Sequence, residues 1–391
     1  MSTILINTSN LKNGGGLQVA QSVCEQLQRF SQHRFVVVLS SYMNDVGNIG
    51  DGDKIKIFRY DIKHNVKTVL VGRDKYLDGL VSHEKVDAVL TIFGPSIWRP
   101  RVPHLCGFAR AQLLLENPLQ KELPIKERIA YKIWEWGFRR SSDTFYTENN
   151  YISDMLPYLL GDVKVYTVTN YYNQVFDQPE KWMKTIKLEV NDKGKRAVTM
   201  LTVSSTAIHK NLKIMVPVSE YLEQHHPEFN FRFVLTCQPE ALNVPPSLQH
   251  HFVFIGKIDV AECPNLYEQS DIMFMPTLLE CFTATYPEAM RMEVPIVTTD
   301  LEFARGLCGE AACYYSAIDS AAAAEAIYKV ATDEAYRIQL TANGKEQLKK
   351  FDNYEQRADK LIEILEEMCS KIQVSSIKLT KDERRRTKTK T

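Results

Sequence analysis

The sequence predicts an α/β protein built from two doubly wound, Rossmann-like domains facing a cleft, and three observations predict it. The 391-residue chain is longer than one small core organises, and two domains of about 150 to 190 residues are the natural division. Short apolar runs alternate with helical or polar stretches, as in parallel sheets whose strands are buried on both faces. That rhythm is interrupted once, at Thr169-Asn170-Tyr171-Tyr172-Asn173, and then resumes. The expected organisation is one Rossmann-like domain over 1–170 and a second over 171–350. A helix over 351–373 returns to the first domain, and a disordered basic tail spans 374–391.

The first series opens with Thr3 to Asn7, a buried strand. Asn10-Leu11-Lys12-Asn13 and Gly14-Gly15-Gly16 follow, then a helix with Leu17, Ala20, Val23, Cys24, Leu27 and Phe30 on one face. Strand, glycine loop and helix make the first βα turn of a doubly wound fold, where backbone approaches a ligand closely. The loop is neither a Walker loop nor GxGxxG, and a tight turn with no ligand accounts for the glycines equally well. Further strands are expected at Phe35–Leu39, Ile55–Phe58, Val86–Ile92, His104–Phe108, Thr144–Tyr146 and Val163–Val168. His104, at its strand's start, reads as a core or surface histidine rather than a catalytic one. Asp51-Gly52-Asp53 reads as a turn.

The second series runs through Ala197–Val203, Phe231–Leu235, Phe252–Ile255, Ile272–Met275, Ile296–Thr298 and Cys313–Tyr315. Helices are expected at about 210–224, 319–332 and 334–350. The last helix carries Leu361, Ile364, Leu365 and Met368 on one stripe. Beyond it, Ser375 to Thr391 holds seven Lys/Arg against two acidic residues, too little apolar surface to fold by itself.

Composition narrows the function classes. An apolar fraction of 44% and a charged fraction of 25% are those of an ordinary globular protein. Zero net formal charge gives no sign of a nucleic-acid partner. Eight cysteines without a CxxC pair suggest reduced, buried thiols in a cytoplasmic protein. Met1 to Ile6 is strand-like rather than a signal peptide, and no apolar run reaches the roughly 18–20 residues of a membrane span. The expected location is the cytoplasm, with a peripheral place on the inner face of the membrane as a variant.

The chemistry concentrates in Leu279-Glu280-Cys281-Phe282-Thr283-Ala284-Thr285-Tyr286-Pro287-Glu288-Ala289-Met290. A strand ends at Met275, a loop carries Glu280, and Pro287 suits the first turn of a helix containing Glu288. Amides at a helix start attract anions, and carboxylates beside them accept hydrogen bonds from hydroxyls. These are the parts needed to hold a nucleotide sugar, although an acid in a first helical turn also favours the helix dipole by itself.

Ile255-Gly256, Leu266-Tyr267, Ser270-Asp271, Met275-Pro276, Glu280-Cys281-Phe282, Glu288-Ala289-Met290 and Pro295-Ile296-Val297 carry a family resemblance. Together they resemble the C-terminal half of retaining GT-B glycosyltransferases, the "glycosyl transferases group 1" enzymes of family four. Ser204-Ser205, His209-Lys210-Asn211-Leu212, Val168-Thr169-Asn170 and the early glycines support it, whereas 40–165 match in rhythm alone. The resemblance implies catalytic roles for Lys210, which neutralises the diphosphate, and Glu280, which contacts the donor sugar. It implies donor binding by Gly15, Gly16, Ser205, Phe282, Thr283, Ala284, Thr285 and Glu288, the last through ribose. Three departures stand out. Ser205 occupies the place of a family arginine, so one positive charge is missing or another residue, such as Arg110 or Arg305, supplies it. Thr283-Ala284-Thr285 replaces a small G-x-P step, and Gly107-Phe108-Ala109 stands where many relatives keep a histidine.

The reaction implied is glycosyl transfer from a nucleoside diphosphate sugar with retention, without metal or resident cofactor. The acceptor is a glycan or lipid-linked hydroxyl bound by the N-terminal half. There the stretch 125–140, with Trp134, Trp136 and five basic residues, suits either a membrane interface or a helix packed on the sheet. The alternatives are a sugar-nucleotide epimerase of the same architecture and a non-catalytic partner that binds nucleotide sugar.

Overall fold

The computed structural model describes residues 1–12, 14–43, 52–63, 68, 71–114, 124–188 and 197–388, with side chains as far as 371. Asn13 and Asp51 lie outside these residues.

The N-terminal sheet contains β1 (Thr3–Asn7), β2 (Arg34–Leu39), β3 (Ile55–Arg59), β4 (Ala88–Thr91), β5 (His104–Gly107), β6 (Thr144–Thr147) and β7 (Lys164–Thr167). All pairings are parallel, in the order β3-β2-β1-β4-β5-β6-β7. The C-terminal sheet contains β8 (Val198–Thr202), β9 (Phe231–Leu235), β10 (Phe252–Phe254), β11 (Ile272–Met275), β12 (Ile296–Thr299) and β13 (Ala312–Tyr315), in the order β10-β9-β8-β11-β12-β13. The central strands are apolar on both faces because helices cover both. In β1, Ile4 and Ile6 face one core while Leu5 faces another. Each sheet reverses its strand order once, between β1 and β4 and between β8 and β11. Loops leaving those two pairs diverge to opposite faces and leave a crevice at each carboxyl edge.

The expected helix over 210–224 is shorter. Asn211 takes a left-handed conformation at φ 52°, so single 3-10 turns at Ile208–Lys210 and Leu212–Ile214 precede the true helix at Met215–His225. Asparagine tolerates that conformation better than most residues. Lys210 is therefore on a turn, not on a helix. The helix carrying Glu288 spans Thr285–Arg291, two residues earlier than Pro287 alone suggests.

The final helix packs Ala358, Leu361, Ile362 and Leu365 into the N-terminal core beside Ile4, Val37 and Leu90. Its backbone continues to Lys388, so the stretch from 374 that the sequence assigns to a disordered tail is helical to that point. No glycine or proline occurs between Tyr354 and Lys388, and Lys and Arg are good helix formers. Further contacts join the halves. Leu279 and Cys281 pack into an N-terminal cluster with Phe108 and Phe138, and the Asn149 amide donates to the Phe303 carbonyl at 3.2 Å.

Candidate functional site

A cleft of about 850 Å³ lies between the two sheets. Gly15, Gly16, Arg110 and Glu148 line it from the N-terminal side, and Phe282 and Ala284 from the C-terminal side. Both glycines open the helix Gly15–Glu25, and Gly14 before them sits at φ 73°, where a side chain is strained. At Gly16 a Cβ would come within 3.4 Å of Leu11 and 3.5 Å of Phe93, so the first turn lies close against the loop after β4.

The switch point of the C-terminal sheet assembles the rest. The loop after β8 ends at Lys210, and the loop after β11 carries Glu280. Backbone joins the two loops: the Leu278 amide donates to the His209 carbonyl at 2.7 Å. Thr277 lies in the same junction, its hydroxyl 2.9 Å from Glu280 Oε1 and 3.2 Å from the His209 carbonyl. Lys210 Nζ donates to Glu280 Oε1 in a largely buried ion pair. The chain thus places an ammonium and a carboxylate, 70 residues apart in sequence, in contact at one sheet edge.

The remaining predicted residues divide. Thr283 and Thr285 are buried and share a hydrogen bond between hydroxyls at 2.9 Å. Glu288 is buried in its short helix and accepts from Tyr267 OH at 3.1 Å. Burial pushes its carboxyl up to about 7. Ser205 is exposed in the loop leading to Lys210. Of the predicted residues, Gly15, Gly16, Phe282 and Ala284 border the cleft; Lys210, Glu280, Ser205, Thr283, Thr285 and Glu288 do not. Of the two arginines considered for the missing charge, Arg305 is held by Asp300 at 2.5 and 2.9 Å and lies over the Tyr314 ring. Arg110 lines the cleft with its guanidinium 4.5 Å from the Trp134 ring centroid.

His104 belongs to the core. Its ring meets the Ser141 carbonyl and the Thr91 hydroxyl, each at 2.8 Å, and burial draws its pKa down to about 4. All eight cysteines are free, and burial pushes thiols such as Cys24 and Cys106 up to about 12. Among the described residues, one group with metal-ligand spacing escaped the sequence reading. Glu223, His250 and His251 hold their ligand atoms within 4.8 Å of one another, away from the cleft. Sequence reasoning also passed over Glu148 and Arg357, which line the cleft, and read Asn170, which lines it too, as part of the linker. Glu148 immediately follows β6, and the rule that ligands sit beyond strand carboxyl ends would have marked it.

Residues 197–333 match the family model "Glycosyl transferases group 1". Over that stretch the C-terminal half is similar to this glycosyltransferase family. The whole chain adopts the GT-B architecture of its structural relatives. A glycosyltransferase from Rickettsia africae superposes with TM-score 0.66 at 15% identity, covering 94% of this chain and 98% of that one. Sucrose-phosphate synthase from Thermosynechococcus elongatus gives 0.67 at 13% identity, with 95% and 100% covered. The Anabaena protein HepE, solved with UDP and glucose, gives 0.58 at 13% identity, with 94% and 99% covered. No curated protein matches the chain by sequence.

Proposed function

We propose that this group 1 glycosyltransferase homologue moves a glycosyl group from a nucleoside diphosphate sugar to an acceptor hydroxyl, with retention and without a metal ion. The observation that carries the reading is the Lys210–Glu280 pair at the crossover of the C-terminal sheet. Next to it runs the Phe282–Ala284 segment, whose ends border the cleft. Breaking the bond to the anomeric carbon leaves negative charge on the departing diphosphate. An ammonium brought against the departing oxygens stabilises that charge. Donor entry exchanges partners: Lys210 turns to the diphosphate, and Glu280 accepts from sugar hydroxyls instead. Arg110 faces the same cleft from the opposite wall and supplies the second cation that Ser205 does not.

UDP is the first nucleotide to test, because the HepE structure holds it. Calorimetric titration with UDP and GDP, followed by a donor-hydrolysis assay, tests the reading. Lys210→Ala is expected to lower turnover by roughly 10²–10³, the usual effect of removing one such charge-stabilising contact. A second reading has its own support. Lys210 is closed on Glu280 and Ser205 is uncharged, as suits a protein that binds nucleotide sugar without transferring it. Binding with no turnover in the presence of acceptor extracts favours that reading. An epimeric nucleotide sugar formed without acceptor identifies the epimerase alternative.

The acceptor is proposed to be a glycan or a lipid-linked glycan reached at a membrane surface. Among the described residues no helix is long and apolar enough to cross a membrane. In the helix Ile125–Ser141, Trp134 packs inward against a core cluster and Trp136 is half-buried beneath Arg140, so the tryptophans do not form the outer face. Ile125, Ile129 and Ile133 do: they are 73%, 56% and 52% exposed at helical spacing, with Lys126, Arg128 and Lys132 beside them. That face matches an anionic lipid surface.

A further inference from the structure

Three buried polar atoms without a hydrogen-bond partner belong to side chains that line the cleft: Asn10 Oδ1, Glu148 Oε1 and Arg357 Nε. A buried polar group left unpaired costs on the order of 1–3 kcal/mol, more when charged, so three at one cavity call for a common explanation. They come from three elements. Asn10 is in the loop after β1 and donates to the Phe93 carbonyl at 2.5 Å. Glu148 follows β6 and is 5% exposed. Arg357 reaches back from the final helix, is 3% exposed, and holds Ser22 at 2.8 Å and the Asn170 side chain. Asn170 in turn hydrogen-bonds Glu148, whose carboxyl burial pushes up to about 7.

The donor and acceptor pattern identifies the chemistry. Asn10 offers an acceptor, Arg357 a donor, and Glu148 an oxygen that accepts when ionised and donates when protonated. A hydroxyl donates and accepts, so sugar hydroxyls match the needs of all three. A phosphate or carboxylate group offers acceptors alone, so it would leave Asn10 unsatisfied and would meet repulsion from Glu148 whenever that carboxyl is ionised. We propose that Asn10, Glu148 and Arg357 form the acceptor subsite of the cleft and that it takes neutral sugar hydroxyls, not a phosphorylated or acidic sugar. This rests on the glycosyl-transfer reading above and narrows its acceptor class.

The test is saturation-transfer NMR on the full chain, with and without saturating UDP. The probes are methyl α-glucoside, methyl α-galactoside, methyl α-mannoside and glucose 6-phosphate, and UDP affinity is measured in parallel. At least one methyl glycoside should show transfer exceeding that of glucose 6-phosphate. Glu148→Gln and Asn10→Ala should each weaken it by about five-fold, the scale of one lost hydrogen bond, while UDP affinity stays within about two-fold. Transfer to none of the glycosides, preference for the phosphate, or variants that bind like the parent overturns the subsite. Equal loss of UDP and glycoside binding in both variants marks a structural role and also overturns it. Failure of the parent to bind UDP removes the donor reading instead, and the UDP-free arm shows separately whether the hydroxyl subsite stands.

Discussion

Glu148 and Glu288 are two carboxyls that the fold keeps from water, and both are pushed from 4.5 to about 7 by burial. Their native pKa exceeds the unfolded one, so between about pH 4.5 and 7 the folded chain retains protons that the unfolded chain has released. Stability therefore falls as pH rises through that window. The contribution is fully present below 4.5 and gone above about 7, with an upper bound of roughly 3 kcal/mol per group. Urea denaturation at pH 5 and pH 7.5 should show the lower midpoint at pH 7.5. In Glu288→Gln and Glu148→Gln the difference should shrink; an unchanged difference in both variants contradicts the assignment. Lys210 and Glu280 belong to the same scale with the opposite logic, because each neutralises the other. Breaking a buried pair from one side costs more than the pair contributes. Glu280→Ala should therefore destabilise more than Glu280→Gln, with midpoints in urea as the readout.

At the scale of elements, the turns decide where chemistry sits. The 3-10 turn ending at Lys210 exists because Asn211 accepts a left-handed backbone, which the pattern Lys210-Asn211-Leu212 does not announce as a helix break. The strands were legible because two-faced burial requires unbroken apolar runs, and those at 231–235 and 272–275 coincide with the observed ones. Helix starts were less legible: Pro287 indicates a first turn but not which residue opens it. The helix Ile125–Ser141 shows the same limit. Its mixed apolar and basic composition could be read in sequence, but which side chains face outward depends on how it packs, and the isoleucines rather than the tryptophans do so. The triple variant Ile125→Asp, Ile129→Asp and Ile133→Asp should abolish co-sedimentation with phosphatidylglycerol-containing vesicles, whereas Trp134→Ala should lower thermal stability. Parent protein that stays in the supernatant contradicts the membrane proposal.

At the scale of the molecule, the final helix makes the N-terminal core depend on residues from the far end of the chain. Leu361 is fully buried beside β1 and β4, and Leu361→Ala should cost about 2–5 kcal/mol by the usual scale for buried leucines. That the helix returns to the first domain is not written in its own apolar stripe; the stripe states only that a partner exists. The same holds for the cleft. Glu280 and Glu288 drew attention by their spacing, whereas Asn10, Glu148 and Arg357 stand scattered over the sequence. Only the meeting of two sheets brings them to one cavity.

The most direct measurement is a structure of the protein with UDP bound. The diphosphate is expected in the cleft beside the Phe282–Ala284 segment, with Lys210 turned from Glu280 toward its oxygens. Nucleotide bound elsewhere, or bound in the cleft with the Lys210–Glu280 pair still closed, would contradict this expectation.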